Sequence, residues 1–242
     1  MFSTVIRPPC LSFACGLIAA VSLHASALAE GVDRQVDLPE NLYFDVVIDG
    51  RDMGYHHVEF SRDGDDLVAA VEIDLRYEVA FITLFKYIHR NIERWQGTTL
   101  MALSSNTDDD GDKYYVLAER QGESLAVDGS LGMYMYDDPI ATTSYWNYES
   151  MTANGNMLNS QKGDVLPYTL ERQGEEQVMV RGEMVVANKY HVNAEIDTYI
   201  WYAQETHEWV KLEFDVRGRT ISYRLVGDKS ESDQASVNAE GS

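Results

Sequence analysis

Val71-Glu72-Ile73-Asp74-Leu75-Arg76-Tyr77-Glu78-Val79 is the stretch that decides the fold. Apolar residues stand at every second position and charged residues fill the gaps. A period of two is the side-chain period of a β-strand; on a helix the same order would scatter the apolar residues around the whole circumference. The stretch therefore reads as a long, half-buried strand with one face on a core. The pattern recurs on both sides of it. Upstream, Leu42, Phe44, Val46 and Ile48 share one face, and Asp49-Gly50 turns the chain into a strand over 55–60. Asp63-Gly64-Asp65-Asp66 is the next turn. Downstream, strands are expected over 85–95, 100–107, 114–119, 125–128, 184–196, 199–202, 209–216 and 220–226. In the strand over 209–216, Val210, Leu212, Phe214 and Val216 are expected inside, with Glu213 and Asp215 outside.

Turn signals arrive roughly every ten to fifteen residues, which fits antiparallel hairpins and not βαβ units. No internal repeat and no Gly/Pro/Ser linker divides the chain, so residues 30–226 read as a single all-β domain. About a dozen strands do not stay flat in one sheet; they should curl into a barrel or a half-open barrel, a β-clam, with a two-sheet sandwich as the competitor. Residues 138–163 lack the alternation and are expected to form an irregular or short helical crossover over the open end. Residues 227–242 are polar and small and read as a disordered acidic tail.

The charge balance removes whole classes of function. Nineteen Lys and Arg face forty Asp and Glu, a net charge of −21. No basic stretch can follow a phosphate backbone, so nucleic-acid binding is excluded, and an anionic membrane surface would repel the chain. Residues 1–29 read as a secretory signal peptide. Arg7 is its only charge, 11–23 is apolar but short of a membrane span, and Ala27-Leu28-Ala29 supplies a small-x-small cleavage pattern before Glu30. Lipidation at Cys15 is the alternative, disfavoured by Ser12 three positions before it. After the signal no apolar run approaches the ~20 residues of a transmembrane helix. Both cysteines, Cys10 and Cys15, leave with the signal. The mature chain then has no disulfide, no thiolate metal site and no cysteine nucleophile. A periplasmic location is expected, with secretion as the alternative.

Two segments carry most of the candidate site residues. In the strand over 85–95, Tyr87, His89, Asn91, Glu93 and Trp95 fall on one face, which suits either a polar pocket wall or a sheet face with cross-strand pairs. Arg90 and Arg94 fall on the other; Arg90 is a candidate to hold an anionic group, or else pairs with an acid on the next strand. The segment over 142–148 gathers Ser144, Tyr145, Trp146, Asn147 and Tyr148. It reads either as a ligand lid or as a plug sealed by Trp146. Tyr199 and Trp201, with Met133, Tyr134 and Tyr136, complete an aromatic and methionine supply for an adaptable lining. His56 and His57 are adjacent on a strand and must point to opposite faces. No histidine spacing suggests zinc. Asn106-x-Asp108-x-Asp110-Gly111 matches half a calcium loop, but Leu117 stands where its bidentate glutamate belongs, so it reads as an acidic turn. There is no Gly-x-Ser-x-Gly elbow, no catalytic residue is assigned, and no motif calls for a metal or cofactor.

Several stretches together resemble a family of exported bacterial proteins classed as a domain of unknown function. They are Phe44-Asp45-Val46-x-x-Asp49-Gly50, Phe85-Lys86-Tyr87-x-His89-Arg90, Thr107-Asp108-Asp109-x-Gly111, Thr143-Ser144-Tyr145-Trp146-Asn147, Ile200-Trp201-Tyr202 and Glu208-Trp209-Val210-Lys211-Leu212. The likeness covers nearly the whole mature chain, which departs from it by a higher acidity and an added tail. It implies a curled antiparallel sheet, distantly like the periplasmic lipoprotein-carrier β-clams, and brings no activity with it. The expected function is non-enzymatic binding of an apolar or amphipathic, lipid-like ligand in the concave sheet. An envelope-assembly or protein-interaction module with a filled core is the alternative, followed by a hydrolase using His89 and Glu93. A continuous apolar cavity of about 300 Å³ or more would favour the first.

Overall fold

The structure, a computed structural model, describes residues 38–79, 82–216 and 218–229. The signal segment expected over 1–29 lies outside the described residues, as does the expected tail from residue 230 onward. Eight strands follow one another as antiparallel neighbours: β1 (Leu42–Ile48), β2 (Arg51–Asp63), β3 (Asp66–Val79), β4 (Ile82–Gln96), β5 (Thr99–Asp109), β6 (Asp112–Gln121), β7 (Ser124–Gly129) and β8 (Gly132–Tyr136). The crossover carries β9 (Ala141–Thr142), helix α1 (Tyr148–Ala153), β10 (Asn156–Leu158) and β11 (Val165–Pro167), whose strands form a separate three-stranded sheet. Then β12 (Thr169–Val180), β13 (Glu183–Asn193), β14 (Thr198–Ala203), β15 (Trp209–Val216) and β16 (Arg219–Val226) form a second meander. β16 pairs with β1, so the two meanders fuse into one thirteen-stranded antiparallel sheet running from β12 to β8.

That topology fixes the path of the crossover. β8 and β12 are the two edges of the sheet, so the segment joining them has to traverse its full width. It does so on the concave side. Ile140, Ala141, Met151, Met157 and Leu158 of this segment are buried in one core with the inward residues of the large sheet. The sheet is curled but not closed. At one corner the backbone N–H of Arg181, just after β12, reaches the carbonyl of Leu225 on β16, and the Arg181 guanidinium bonds Glu208 at 2.8 Å.

Alternation holds where the sequence is most regular. Val71, Ile73 and Leu75 of β3 are buried, while Glu72 and Asp74 lie on the convex face. Glycines permit close backbone approach at two places. Gly54 has φ of +129° beside a bulge in the β1–β2 pairing, and a Cβ there would stand 2.0 Å from the Asp74 carbonyl oxygen. Gly129 of β7 meets Gly163 of the crossover, where a Cβ would stand 2.8 Å from the opposing Cα. The crossover is thus pressed backbone to backbone onto the sheet.

Candidate ligand-binding cavity

A cavity of about 720 Å³ lies between the concave sheet and the crossover. Its sheet wall is mainly apolar: Met53, Val71, Ile73 and Leu75 on one side, and Leu212, Phe214 and Ile221 on the other. Its opposite wall is mainly polar, built by the crossover from Thr143, Ser144, Asn159, Ser160 and Gln161. The mouth is ringed by strand ends and turns, where Leu84 and Ile196 are exposed. Charge is confined to this end, on Asp109, Asp110, Lys162, Glu195 and Arg219. Arg219 is bonded to Asp49 at 3.0 Å and lies over the Tyr77 ring, and the Lys162 ammonium lies 5.6 Å from the centre of the Tyr114 ring.

The floor is aromatic and uncharged. His56 of β2 is ringed by Trp209 at 5.2 Å, Tyr223 at 5.5 Å and Phe44 at 6.2 Å between ring centres. Neither of its ring nitrogens has a hydrogen-bond partner. Burial, reinforced by His89 and His57, pushes its pKa down to about 3, so the ring is neutral at pH 7. His89 is held down to about 4, first by burial and then by Arg90, and its Nδ1 is 2.8 Å from Thr107 Oγ1. Burial raises the phenols of Tyr87 and Tyr223, which stay protonated. Tyr145 stands at the junction of floor and crossover with φ of +63°, a region that non-glycine residues rarely enter. Its carbonyl accepts a 2.7 Å bond from the Tyr202 hydroxyl, which holds it there.

Beside the cavity lies a sealed polar cluster. Glu93 is completely buried and accepts from Asn91 Nδ2 at 2.8 Å, Trp95 Nε1 at 2.9 Å, Trp146 Nε1 at 3.0 Å and Thr142 Oγ1 at 3.3 Å. This carboxylate is held by neutral donors from both the sheet and the crossover. Burying it is tolerable only because these donors replace water.

The face of β4 singled out in the sequence is therefore divided. Tyr87 and His89 line the cavity, and Ser144 joins them from the crossover. Trp95 and Trp146 lie beyond, bonded to Glu93 with their rings edge to face at 5.8 Å. Asn147 caps α1, its Oδ1 accepting from Ser150 N at 3.0 Å. Arg90 is on the convex face, bonded to Glu72 at 2.8 Å and to the carbonyls of Ile73 and His89. Tyr199 and Trp201 do not line the cavity either: Tyr199 is exposed, whereas Trp201 is fully buried in the core. Trp201 lies between the ammonium groups of Lys189 and Lys211, and its Nε1 donates to Glu176. Of the methionines, Met53 and Met157 line the cavity, whereas Met133 and Met135 are exposed on the convex face of β8. His56, Trp209 and Tyr223 were not among the residues singled out. His56 had a signal, since it shares the parity of Val58 and Phe60 on its strand; Trp209 had none, because a bulge sets its direction.

Among the described residues no three of His, Cys, Asp and Glu are grouped to hold a metal ion. Asp108, in the half calcium motif, is bonded to Lys86 and Lys113, which hold its carboxyl down to about 2. Residues 44–226 match the family described as Domain of unknown function (DUF6134). The chain belongs to this family. As a DUF6134 member it also resembles, in fold, the crystal structure of a beta-barrel-like protein of domain of unknown function DUF1849 from Brucella abortus. The two share 11% identity, with a TM-score of 0.56 over 78% of this chain and 96% of that one. No curated protein matches the sequence. No helix among the described residues of this DUF6134 chain is long and apolar enough to cross a membrane.

Proposed function

We propose that the protein is a non-enzymatic binding module, exported to the periplasm by its N-terminal segment, that holds an apolar or amphipathic, lipid-like ligand in the concave sheet. One observation carries this reading: the open-mouthed cavity of about 720 Å³, apolar on its sheet wall and polar on its crossover wall. Small-molecule sites have this size and this mixture of an apolar lining with a few polar groups. A hydrolase reading finds less support. His89 is bonded to a threonine, and Glu93 is closed off from the cavity by its indole donors. His191 pairs with Asp197 at 3.2 Å, but neither residue lines the cavity, and Asp197 is exposed to solvent. Native mass spectrometry of protein purified from its own compartment tests the proposal. A retained small amphiphile that is lost when Val216 at the mouth is changed to Trp supports it. Protein that carries none, and that binds no added amphiphile, sinks it.

A further inference from the structure

The charged groups of the cavity stand at its mouth, yet its uncharged floor holds hydrogen-bonding groups without partners. Exposed apolar side chains, Leu84 and Ile196, stand at the mouth, while unused hydrogen-bonding capacity lies at the floor. His56 is buried there with both ring nitrogens unpartnered, and His89 beside it commits only Nδ1, to Thr107. Resting on the reading of this cavity as a ligand site, we infer that the ligand is an uncharged amphiphile that enters with its hydrogen-bonding oxygen first, against His56 and His89, and leaves its apolar tail at the mouth.

The chemistry of the floor selects against charge of either sign. A carboxylate or phosphate lowered there would lose its hydration and meet no cation, because Arg219 and Lys162 are held at the mouth by Asp49 and the Tyr114 ring. An ammonium group would meet no acceptor of opposite charge, because Glu93 is sealed beneath the crossover. A hydroxyl or carbonyl suits the floor. A neutral imidazole offers one N–H donor and one bare nitrogen acceptor, and leaving both unmet in an apolar cage costs free energy that a neutral oxygen can recover. Both histidines are in that neutral form at pH 7.

Three probes of equal chain length decide the matter: 1-decanol, decanoate and decyltrimethylammonium, titrated at pH 7 and followed by tryptophan fluorescence, since Trp209 adjoins His56. Decanol should bind at least about tenfold more tightly than either ion. His56→Phe, which keeps an aromatic ring and removes both nitrogens, should weaken decanol about tenfold and leave 1-chlorodecane unchanged. Should that variant fail to fold, ¹⁵N spectra of the unaltered protein serve instead, and decanol should shift the ring nitrogens of His56 or His89. If decanoate or the ammonium probe binds as well as decanol, or decanol leaves the histidine nitrogens unmoved, the inference is wrong while the cavity remains a ligand site. If no probe binds, the proposed function itself falls, and this inference with it.

Discussion

The indole N–H of Trp146 and the carboxylate of Glu93, 53 positions apart in the chain, meet at 3.0 Å inside the curled sheet. This bond ties the crossover to β4 at the boundary between the open cavity and the sealed core. Trp146 also meets Phe60 edge to face at 5.0 Å, and it is not part of the cavity lining. Buried there, it is expected to act through packing, and two substitutions test this. Trp146→Ala should cost about 3–5 kcal/mol in urea unfolding. Trp146→Phe should cost less, about 1–3 kcal/mol, for one donor withdrawn from a buried carboxylate. A loss below half a kcal/mol for the alanine variant would mean that this contact does not hold the crossover down.

Gly54 predicts a backbone effect with no side chain removed. Any Cβ at this position runs into the Asp74 carbonyl, and φ of +129° is unfavourable for every other residue. Gly54→Ala should therefore destabilise by more than about 1 kcal/mol, whereas a substitution of this kind at a compatible site stabilises slightly. A neutral result would show that β2 relaxes away from β3 without penalty.

The curled all-β architecture was legible because alternation is a local property. Each of Val71, Ile73 and Leu75 faces inward for the same reason, and the gap at 138–163 marks the chain that must cross between sheet edges. What was not legible depends on distant partners. Trp209 pairs with Tyr202 and Lys211 with Trp201, so Val210 is an extra residue in β15. That bulge turns Trp209 into the cavity alongside Leu212, and strict alternation from Leu212 cannot anticipate it. The site shows the same division. Parity placed Tyr87, His89, Asn91, Glu93 and Trp95 on one face, but only the landing point of the crossover separates the first two, in the cavity, from the last three.

Leu212 tests the register of β15. It is buried, faces Ile200 and Tyr223 on its two neighbouring strands, and borders the cavity. Leu212→Ala should cost about 2–5 kcal/mol, towards the lower end because the residue adjoins open space. Asp215→Ala, on an exposed position of the same strand, should stay within about 0.5 kcal/mol. Equal losses at the two positions in chemical denaturation would show the strand to be turned the other way.

The two floor histidines give the protein a stability that depends on pH. In the fold, burial holds His56 at about 3 and His89 at about 4, while an unfolded histidine titrates near 6.5. Between those values the unfolded chain binds protons that the folded chain refuses. The stabilisation is therefore complete above pH 6.5 and is lost as pH falls towards the folded values. From pH 7.5 to 5.5 each histidine should account for a loss of about 1.4 kcal/mol, roughly 3 kcal/mol for the pair. Ordinary carboxylates titrate below this window and contribute little to the difference. The floor carries no acid that would offset the effect: His56 faces Phe44, Trp209 and Tyr223, and His89 is bonded to Thr107. Urea midpoints across this range should show the decline for the unaltered protein, and about half of it for His56→Phe. Identical pH profiles for the two would mean that His56 takes up its proton within the fold, and that the neutral floor described above does not exist.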